Sequence, residues 1–277
     1  MLRRQFAARL SLLPAILATS HCSAQTAEYS AQTSPARGGH LRDSREEDGL
    51  RGVADQVMRP VVDNGAIPGT IVGISLRGAR HFFRYSARGE QLAPNTIVEI
   101  GSITKVFTTA LLAQAIQDGS IQPNASIQSC LPDTRLQRCA SAVTPVQLAS
   151  FRSGMPALPT NAPQRLNERG LGNYTMGDFL NWVSQWSPAG CQLPAPYEYS
   201  NASVGLLGPI LANARGVPWA RQIEASITGP LGMRDTSIRP GPDAQGRVAQ
   251  GHGPAGRQVI PWPVFAWLAA GALRSTA

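Results

Sequence analysis

Residues 99–107, EIGSITKVF, decide how the rest of the chain is interpreted. Among the 25 basic residues of the sequence, Lys105 is the single lysine and all the others are arginines. Arginine stays protonated at any useful pH, whereas lysine can lose its proton where a site lowers its pKa. Ser102 lies three residues before Lys105, so the two would share one face of a helix. The amine could then help to remove the serine hydroxyl proton, although a solvated lysine that follows a serine by chance is the alternative.

The residues around this pair predict the clearest helix of the sequence, SITKVFTTALLAQAIQDGSI over 102–121. Its apolar residues recur at helical spacing, and Gly119 is a stop signal. Ser102 falls in the first turn, where free N–H groups and the helix dipole stabilise developing negative charge. A serine that only caps the helix would occupy the same position.

The flanking segments predict an α+β fold. Two apolar runs before the helix, GTIVGISLRG and ARHFFRYSARG, predict a β-hairpin, and residues 51–65 have helical spacing. Shorter helical pieces are predicted after it, over residues 144–152, 175–186, 202–215 and 218–227. Strands followed by a mostly helical stretch are typical of α+β proteins rather than of alternating βαβ units.

Composition favours a globular protein without a nucleic-acid partner. The chain has 277 residues, of which 43% are hydrophobic and 15% charged. The net charge is +8, but the arginines are scattered and aromatic residues make up only 6%. A nucleic-acid binder would concentrate basic residues in a stripe or carry a known reader module, and neither is present.

The N-terminal residues predict export. A basic start, a short apolar run and small residues up to Ala24 are typical of a cleaved signal sequence over residues 1–24. A lipid anchor on Cys22 is the alternative. Residues 25–52 are polar and predict a flexible leader, followed by one domain over 53–277. The mature chain has no further apolar run of spanning length, so we expect a periplasmic protein without stable membrane insertion.

The remaining cysteines suggest a disulfide and no metal site. In an oxidising compartment Cys130 and Cys139, which bracket the loop CLPDTRLQRC, could be bonded, and this would leave Cys191 unpaired. The cysteine and histidine spacing fits no zinc-binding template, so no metal is expected.

Several stretches, taken in order, resemble the serine β-lactamase and penicillin-binding protein superfamily, in particular its class C β-lactamase and D-alanyl carboxypeptidase branch. They are IPGTIVGISLRG, VEIGSITKVFTTALLAQAIQDGSI, LASFRSGMP, YEYSNASVGLLG and GPLGMRDTSI. The resemblance extends over about residues 53–277. It implies a β-lactamase/transpeptidase-like fold, with an antiparallel sheet flanked by helices and a mostly helical subdomain.

The resemblance also implies roles for individual residues. Ser102 resembles the nucleophile, Lys105 the amine that activates it, and Tyr199 a second proton-transfer residue. Asn201 resembles the amide that holds Lys105 and the substrate, and His252 lies where relatives often have a tyrosine beside the substrate. The alternatives are a half-buried tyrosine before a helix for Tyr199, a helix N-cap for Asn201 and a surface loop for His252.

The activity implied by this resemblance is hydrolysis of a small-molecule substrate through an acyl-enzyme on Ser102. The substrate would be a β-lactam, or a D-alanyl peptide or ester. Such acyl transfer requires no cofactor. The sequence carries no signal for an oligomeric state.

The sequence departs from the family in two places. In LASFRSGMP, Phe151 and Arg152 replace the usual His-Thr, and Leu158 lies roughly where class C enzymes often have a substrate-contacting glutamine. The family's third motif, Lys-Thr-Gly or a near variant, is not found after Lys105. It would belong to a later strand, so we expect a chain that lacks its C-terminal sheet strands and one oxyanion donor. A catalytically impaired or non-catalytic fragment of such an enzyme is therefore the competing interpretation.

Overall fold

The computed structural model describes residues 40–87, 89, 92–163, 172–253 and 256–277, with backbone alone for residues 40–43. The predicted signal sequence (1–24) and residues 25–39 of the predicted leader lie outside the described residues. For residues 40–52 the prediction of a flexible leader is wrong, because they form the first part of helix α1 (His40–Asp63). Oppositely charged residues four positions apart stabilise this helix. Arg51, for example, pairs with Glu47 at 3.2 Å.

A β-hairpin packs on α1 and forms a small core with it. Strands β1 (Gly69–Leu76) and β2 (Ala79–Ser86) pair antiparallel with Val72 opposite Phe83, which confirms the predicted hairpin. The two turn residues, Arg77 and Gly78, both have positive φ. Four buried residues make up this core: Ala54, Val62, Phe83 and Tyr85.

The larger core is mostly helical. Its helices, in chain order, are α2 (Thr104–Gln117), α3 (Ile127–Cys130), α4 (Arg138–Ser141), α5 (Pro145–Ala149), α6 (Met176–Gln185), α7 (Asn201–Arg215) and α8 (Trp219–Ile223). The central pair is α2 and α7, whose inward residues, such as Leu111, Ala115, Leu206 and Leu207, are fully buried. The helices predicted over 102–121, 144–152, 175–186, 202–215 and 218–227 are confirmed to within a few residues at each end, whereas the one predicted over 51–65 begins earlier, at His40.

Local signals account for the helix ends. Thr144 at the start of α5 and Thr175 at the start of α6 each form a capping box with the residue three positions later. Helix α2 ends before Gly119, which has a φ of +78°, and α7 ends at Gly216, with a φ of +64°. A 3₁₀ turn, Gly101–Ile103, precedes α2.

The remaining strands are short and pair two by two. Strands β3 (Val98–Glu99) and β6 (Arg274–Ser275) are antiparallel neighbours, and so are β4 (Gly251–His252) and β5 (Gln258–Val259). The described residues thus form three separate two-stranded sheets rather than one continuous sheet. With its helices and small antiparallel sheets, the fold is α+β, as predicted. In the described part of the chain, no helix is long and apolar enough to cross a membrane.

The β3–β6 pair places the segment 265–275 behind α2. Arg274 pairs with Glu99 at 3.0 Å and also donates to the carbonyl of Ile238 at 2.6 Å. The Ile100 N–H donates to Leu273 O at 3.0 Å. These contacts fix the segment at the entrance of α2.

Two glycines let α7 approach this segment closely. A Cβ atom added to Gly205 would overlap with Cβ of Trp267 and lie 3.1 Å from its Cα. One added to Gly208 would lie 3.1 Å from Cβ of Ala269. The absence of side chains at these two positions therefore sets the distance between α7 and residues 267–269.

We expect Gly205→Ala to lower the free energy of unfolding by about 1–3 kcal/mol, because the new methyl group forces the segment away from α7. Urea unfolding followed by circular dichroism would measure this. The matched control is Gly52→Ala in α1, where a Cβ has nothing within 4 Å. That change should stabilise the protein by about 0.5–1 kcal/mol. Equal effects of the two substitutions would contradict the close approach.

The disulfide differs from the predicted one. Cys139 is bonded to Cys191, with 5.2 Å between their Cα atoms, and Cys130 is free and half-buried. The prediction of a Cys130–Cys139 bond is therefore wrong. The Gln128 side chain organises the intervening loop by donating to the carbonyls of Leu131 and Thr134. Sequence proximity of two cysteines does not fix the directions of their side chains, and a disulfide requires both.

Peptide mapping would test this pairing. When the oxidised protein is alkylated, then digested without reduction, Cys130 should carry the label and the peptides of Cys139 and Cys191 should remain linked. Removal of the bond by the double change Cys139→Ser and Cys191→Ser should cost about 2–4 kcal/mol of unfolding free energy, because the bond closes a long loop. A label on Cys191 would contradict the structure.

Candidate active site

Ser102 lies in the 3₁₀ turn that leads into α2. The first helical hydrogen bond runs from the Ile103 N–H to Ile100 O, at 3.1 Å. The N–H groups of Gly101 and Ser102 precede that bond and therefore have no helical partner. No side chain caps the 3₁₀ turn or α2. The Ser102 hydroxyl is thus not a helix cap, and it is available for other contacts.

Lys105 is buried beneath this serine, with only 7% of its surface exposed. Its Nζ donates to Ser102 Oγ at 3.0 Å, to Asn201 Oδ1 at 2.7 Å and to Ala270 O at 2.7 Å. In the described part of the chain no carboxylate lies within ion-pair distance of Lys105. Its three partners are neutral, which is unusual for a buried amine.

The geometry of these contacts constrains the protons of the amine. The amide oxygen of Asn201 and the carbonyl of Ala270 can only accept, so they occupy two N–H groups. A neutral amine has two N–H groups and one lone pair, and the lone pair then points toward Ser102. A protonated amine would direct its third N–H there instead. In either case the third position on the nitrogen, an N–H or a lone pair, faces Ser102.

Tyr199 also contacts the serine hydroxyl and lies next to Lys105. Its hydroxyl donates to Ser102 Oγ at 2.7 Å, and Lys105 Nζ lies 4.9 Å from its ring centroid. Partial burial on its own would raise the pKa of Tyr199. Contact with Lys105, the hydrogen bond to Ser102 and the Lys105 charge together outweigh burial and lower the pKa of Tyr199 below its usual value of about 10. The phenol is thus easier to ionise than a free tyrosine.

The segment that carries Tyr199 is held by the loop 151–157. Four hydrogen bonds join them: Ala195 N to Arg152 O at 2.9 Å, Glu198 N to Phe151 O at 3.0 Å, Asn201 N to Ala157 O at 2.9 Å and Ser200 Oγ to Pro156 O at 2.6 Å. This loop consists of most of the LASFRSGMP stretch (148–156) and Ala157. It therefore acts as the template along which Tyr199 and Asn201 are placed.

Buried serines lock the loop onto α7. Ser200, rather than Asn201, caps α7 by accepting from Ser203 N at 2.9 Å. The hydroxyls of Ser203 and Ser153 share a hydrogen bond at 2.9 Å. With the helix capped by its neighbour, the Asn201 side chain is free to accept from Lys105, so the capping alternative for Asn201 does not hold.

The segment 269–273 supplies the third partner of Lys105. Thr108 on α2 donates to Ala269 O at 2.6 Å, and Leu273 N donates to the Thr104 hydroxyl at 3.1 Å. These bonds set the register in which Ala270 O meets the amine. Sequence reasoning missed Ala270, because a backbone carbonyl leaves no signal in the side chains.

His252 lies outside this cluster of polar groups. It belongs to β4, opposite Gln258, and lines an open groove of about 870 Å³ together with residues such as Val98 and Ile260. In the described part of the chain His252 makes no hydrogen bond to the four clustered residues. Its role beside a substrate remains a prediction. Leu158 packs against the larger core.

No metal centre emerges from the described ranges, in which no three histidine, cysteine, aspartate or glutamate side chains are grouped so that they could hold a metal ion.

Comparison with known proteins gives consistent matches. A family model described as Beta-lactamase matches residues 54–277. A beta-lactamase of Pseudomonas fluorescens is 26% identical over 215 residues, which cover 76% of this chain and 57% of that protein. The structure of a class C beta lactamase from Rhodobacter sphaeroides matches with a TM-score of 0.67 and 27% identity, over 81% of this chain and 61% of that one.

A D-alanine carboxypeptidase is similar to the same degree. The structure of the enzyme from Burkholderia cenocepacia matches with a TM-score of 0.68 and 25% identity, over 83% of this chain and 62% of that one. The chain thus spans between 57% and 62% of the length of these three relatives.

The site geometry predicts the order in which the tyrosines ionise. The pKa of Tyr199 is lowered, whereas burial raises the pKa of Tyr174 to about 12. In ¹³C NMR of ring-labelled tyrosine, Tyr199 should titrate at lower pH than Tyr174. In Lys105→Met the contact with the amine and its positive charge are lost, while burial of the ring and the bond to Ser102 stay, so the pKa of Tyr199 should rise above its value in the parent. An unchanged midpoint in Lys105→Met would contradict contact between the amine and the phenol. Tyr199→Phe identifies the resonance.

Proposed function

The chain belongs to the beta-lactamase family, and on that premise we propose that it is a serine hydrolase that forms an acyl-enzyme on Ser102. The observation that carries this proposal is the pair of contacts on one hydroxyl: Ser102 Oγ lies 3.0 Å from Lys105 Nζ and 2.7 Å from the Tyr199 hydroxyl. A serine becomes nucleophilic when a neighbouring base can take its proton. Here two candidate bases contact it.

In the proposed step, Ser102 Oγ attacks the carbonyl carbon of the substrate while its proton passes to Tyr199 or Lys105. A tetrahedral oxyanion forms, and the N–H of Ser102, which has no helical partner, lies at the start of α2, where it would stabilise that charge. The C–N or C–O bond then breaks, and the leaving group takes the proton from the same pair. Water later attacks the acyl-enzyme and restores the serine.

Within this mechanism Asn201 and Ala270 are positioning groups. They accept hydrogen bonds from two N–H groups of Lys105, so that the third position on its nitrogen faces Ser102. The Lys105 amine and the Tyr199 phenol act as one pair in this step, since both contact Ser102 Oγ.

The substrate class we propose is a β-lactam, with hydrolysis of class C type. The match to the class C enzyme of Rhodobacter sphaeroides supports this choice. The match to the Burkholderia cenocepacia carboxypeptidase favours a second candidate, removal of a terminal D-alanine from a peptide or cleavage of a related ester. Both candidates use the same acylation step, and they differ in how fast the β-lactam acyl-enzyme is hydrolysed.

We further propose that the protein is exported to the periplasm. The pattern of residues 1–24 supports this, and so does the Cys139–Cys191 bond, because disulfides persist mainly in oxidising compartments. Neither a cofactor nor a nucleic acid enters the proposed reaction.

Intact-mass spectrometry after exposure to benzylpenicillin tests the acylation step. We expect the protein to gain the mass of one penicillin, and Ser102→Ala to gain none. Lys105→Arg keeps the positive charge but cannot act as a base, so it should acylate at least about 100-fold more slowly. A folded parent chain without any mass gain would favour the non-catalytic interpretation.

The time course of the same experiment separates the two candidate substrates. A β-lactamase should lose the added mass within seconds and release opened penicillin, whereas a carboxypeptidase should retain the adduct and instead cleave a D-alanyl-D-alanine peptide. A long-lived adduct together with peptide cleavage would overturn the β-lactamase assignment and keep the serine hydrolase.

The pH dependence of acylation should follow the ionisation of Tyr199. Because the pKa of Tyr199 is lowered, the acylation rate should rise with pH, with its midpoint below the usual tyrosine pKa of about 10. Stopped-flow measurements with a chromogenic cephalosporin would record this profile. Tyr199→Phe should be slower by about 100-fold or more and should lack this rise. An identical profile in Tyr199→Phe would exclude the phenol as the base.

A further inference from the structure

Phe151 has a backbone conformation that aromatic side chains rarely adopt. Its φ is +59°, and among the described residues only Arg77 and Cys191 are other non-glycine residues with positive φ. A bulky residue in this region is strained, and such strain is usually found where the surrounding structure requires it. Glycine would fit the same backbone without a penalty. The loop itself uses glycine in this way at Gly154, with a φ of +78°.

The strained conformation brings the Phe151 ring against Tyr199. The two ring centroids lie 4.9 Å apart with an interplanar angle of 36°. The other aromatic neighbour of Phe151 is Tyr197, at 5.7 Å and edge-on. The Phe151 carbonyl also accepts from Glu198 N at 3.0 Å. Phe151 therefore contacts Tyr199 through its ring and the residue before it through its backbone.

Tyr199 requires such support, because 42% of its surface is exposed. An exposed tyrosine can change rotamer freely, and any other χ1 rotamer would move its hydroxyl away from Ser102. Lys105 contacts the ring at 4.9 Å and Ser102 contacts the hydroxyl. Phe151 is the aromatic contact that restrains the ring itself.

We propose that Phe151 is a positioning residue that holds the Tyr199 ring in the rotamer that places its hydroxyl on Ser102. Its kinetic consequence rests on the function proposed above, but the orientation of Tyr199 does not. The residue lies in the loop whose backbone hydrogen bonds also hold the segment that carries Tyr199. If Phe151 only filled space in the turn, its packing would be explained, but its strained positive φ would not.

The test uses two substitutions that suit positive φ and remove the ring, Phe151→Gly and Phe151→Asn, and one that keeps the ring, Phe151→Tyr. Using two ring-free variants guards against misfolding of either one, and thermal unfolding confirms that each variant is folded. Arg77→Gly in the hairpin turn is the matched control, because it relieves positive φ at a residue outside the site.

The first readout is the pKa of Tyr199, which is measured by ¹³C NMR titration and does not depend on any activity. If Phe151 positions Tyr199, the ring-free variants release the phenol from Lys105 and Ser102, and its pKa rises toward the usual value. If Phe151 only excludes water, its removal reduces burial, and the pKa of Tyr199 stays or falls further. The second outcome overturns the proposal. Phe151→Tyr and Arg77→Gly should leave the midpoint at the parent value.

The second readout is the acylation rate with benzylpenicillin. Loss of orientation should slow acylation by about 10- to 100-fold in both ring-free variants, and Phe151→Tyr should remain close to the parent. A parent that does not acylate defeats the proposed function, while the NMR titration still decides the role of Phe151. Ring-free variants that acylate at the parent rate, with Tyr199 still titrating at the parent pH, would refute the positioning role.

Discussion

One buried amine joins the parts of this protein. Lys105 Nζ contacts a serine on its own helix, an amide on α7 and a carbonyl in the segment behind α2. An amine with 7% exposure is costly to keep away from water unless its hydrogen bonds are satisfied. All three of its partners must therefore be present together, and the fold places them around it. Loss of any one of them would leave a buried polar group unpaired, which costs more than the bond itself contributes.

The need to hold three partners around Lys105 explains the roles of several residues that take no part in the proposed reaction. Gly205 and Gly208 let α7 approach residues 267–269, so that Asn201 and Ala270 both reach the amine. Ser200 caps α7 and leaves Asn201 free. Thr104 and Thr108 fix the register of the segment that carries Ala270. Each of these residues helps to place the backbone that surrounds the site.

Side-chain chemistry was predictable from the sequence, while backbone contributions were not. Ser102, Lys105, Tyr199 and Asn201 were identified because their residue types and motifs are visible in the chain, and the structure brings these four together. The hairpin and the longer helices followed from periodicity and caps. Ala270 could not be identified, since any residue offers the same carbonyl. The partner of Cys139 was not predictable either, because Cys191 is distant in sequence and only the fold brings the two together. The helix over 40–52 was missed because its polar composition hid side-chain pairs such as Arg51 with Glu47.

The distance in sequence between Lys105 and Ala270 has a consequence for assembly. The bond between them joins residues 165 positions apart, so it forms only after almost the whole described chain has collapsed. Until then the amine lacks a fixed acceptor and the serine lacks an oriented base. Under the proposed function, a chain still being synthesised therefore carries an ordinary, unreactive serine. The proposed reactivity then depends on closure of this contact between distant parts of the chain.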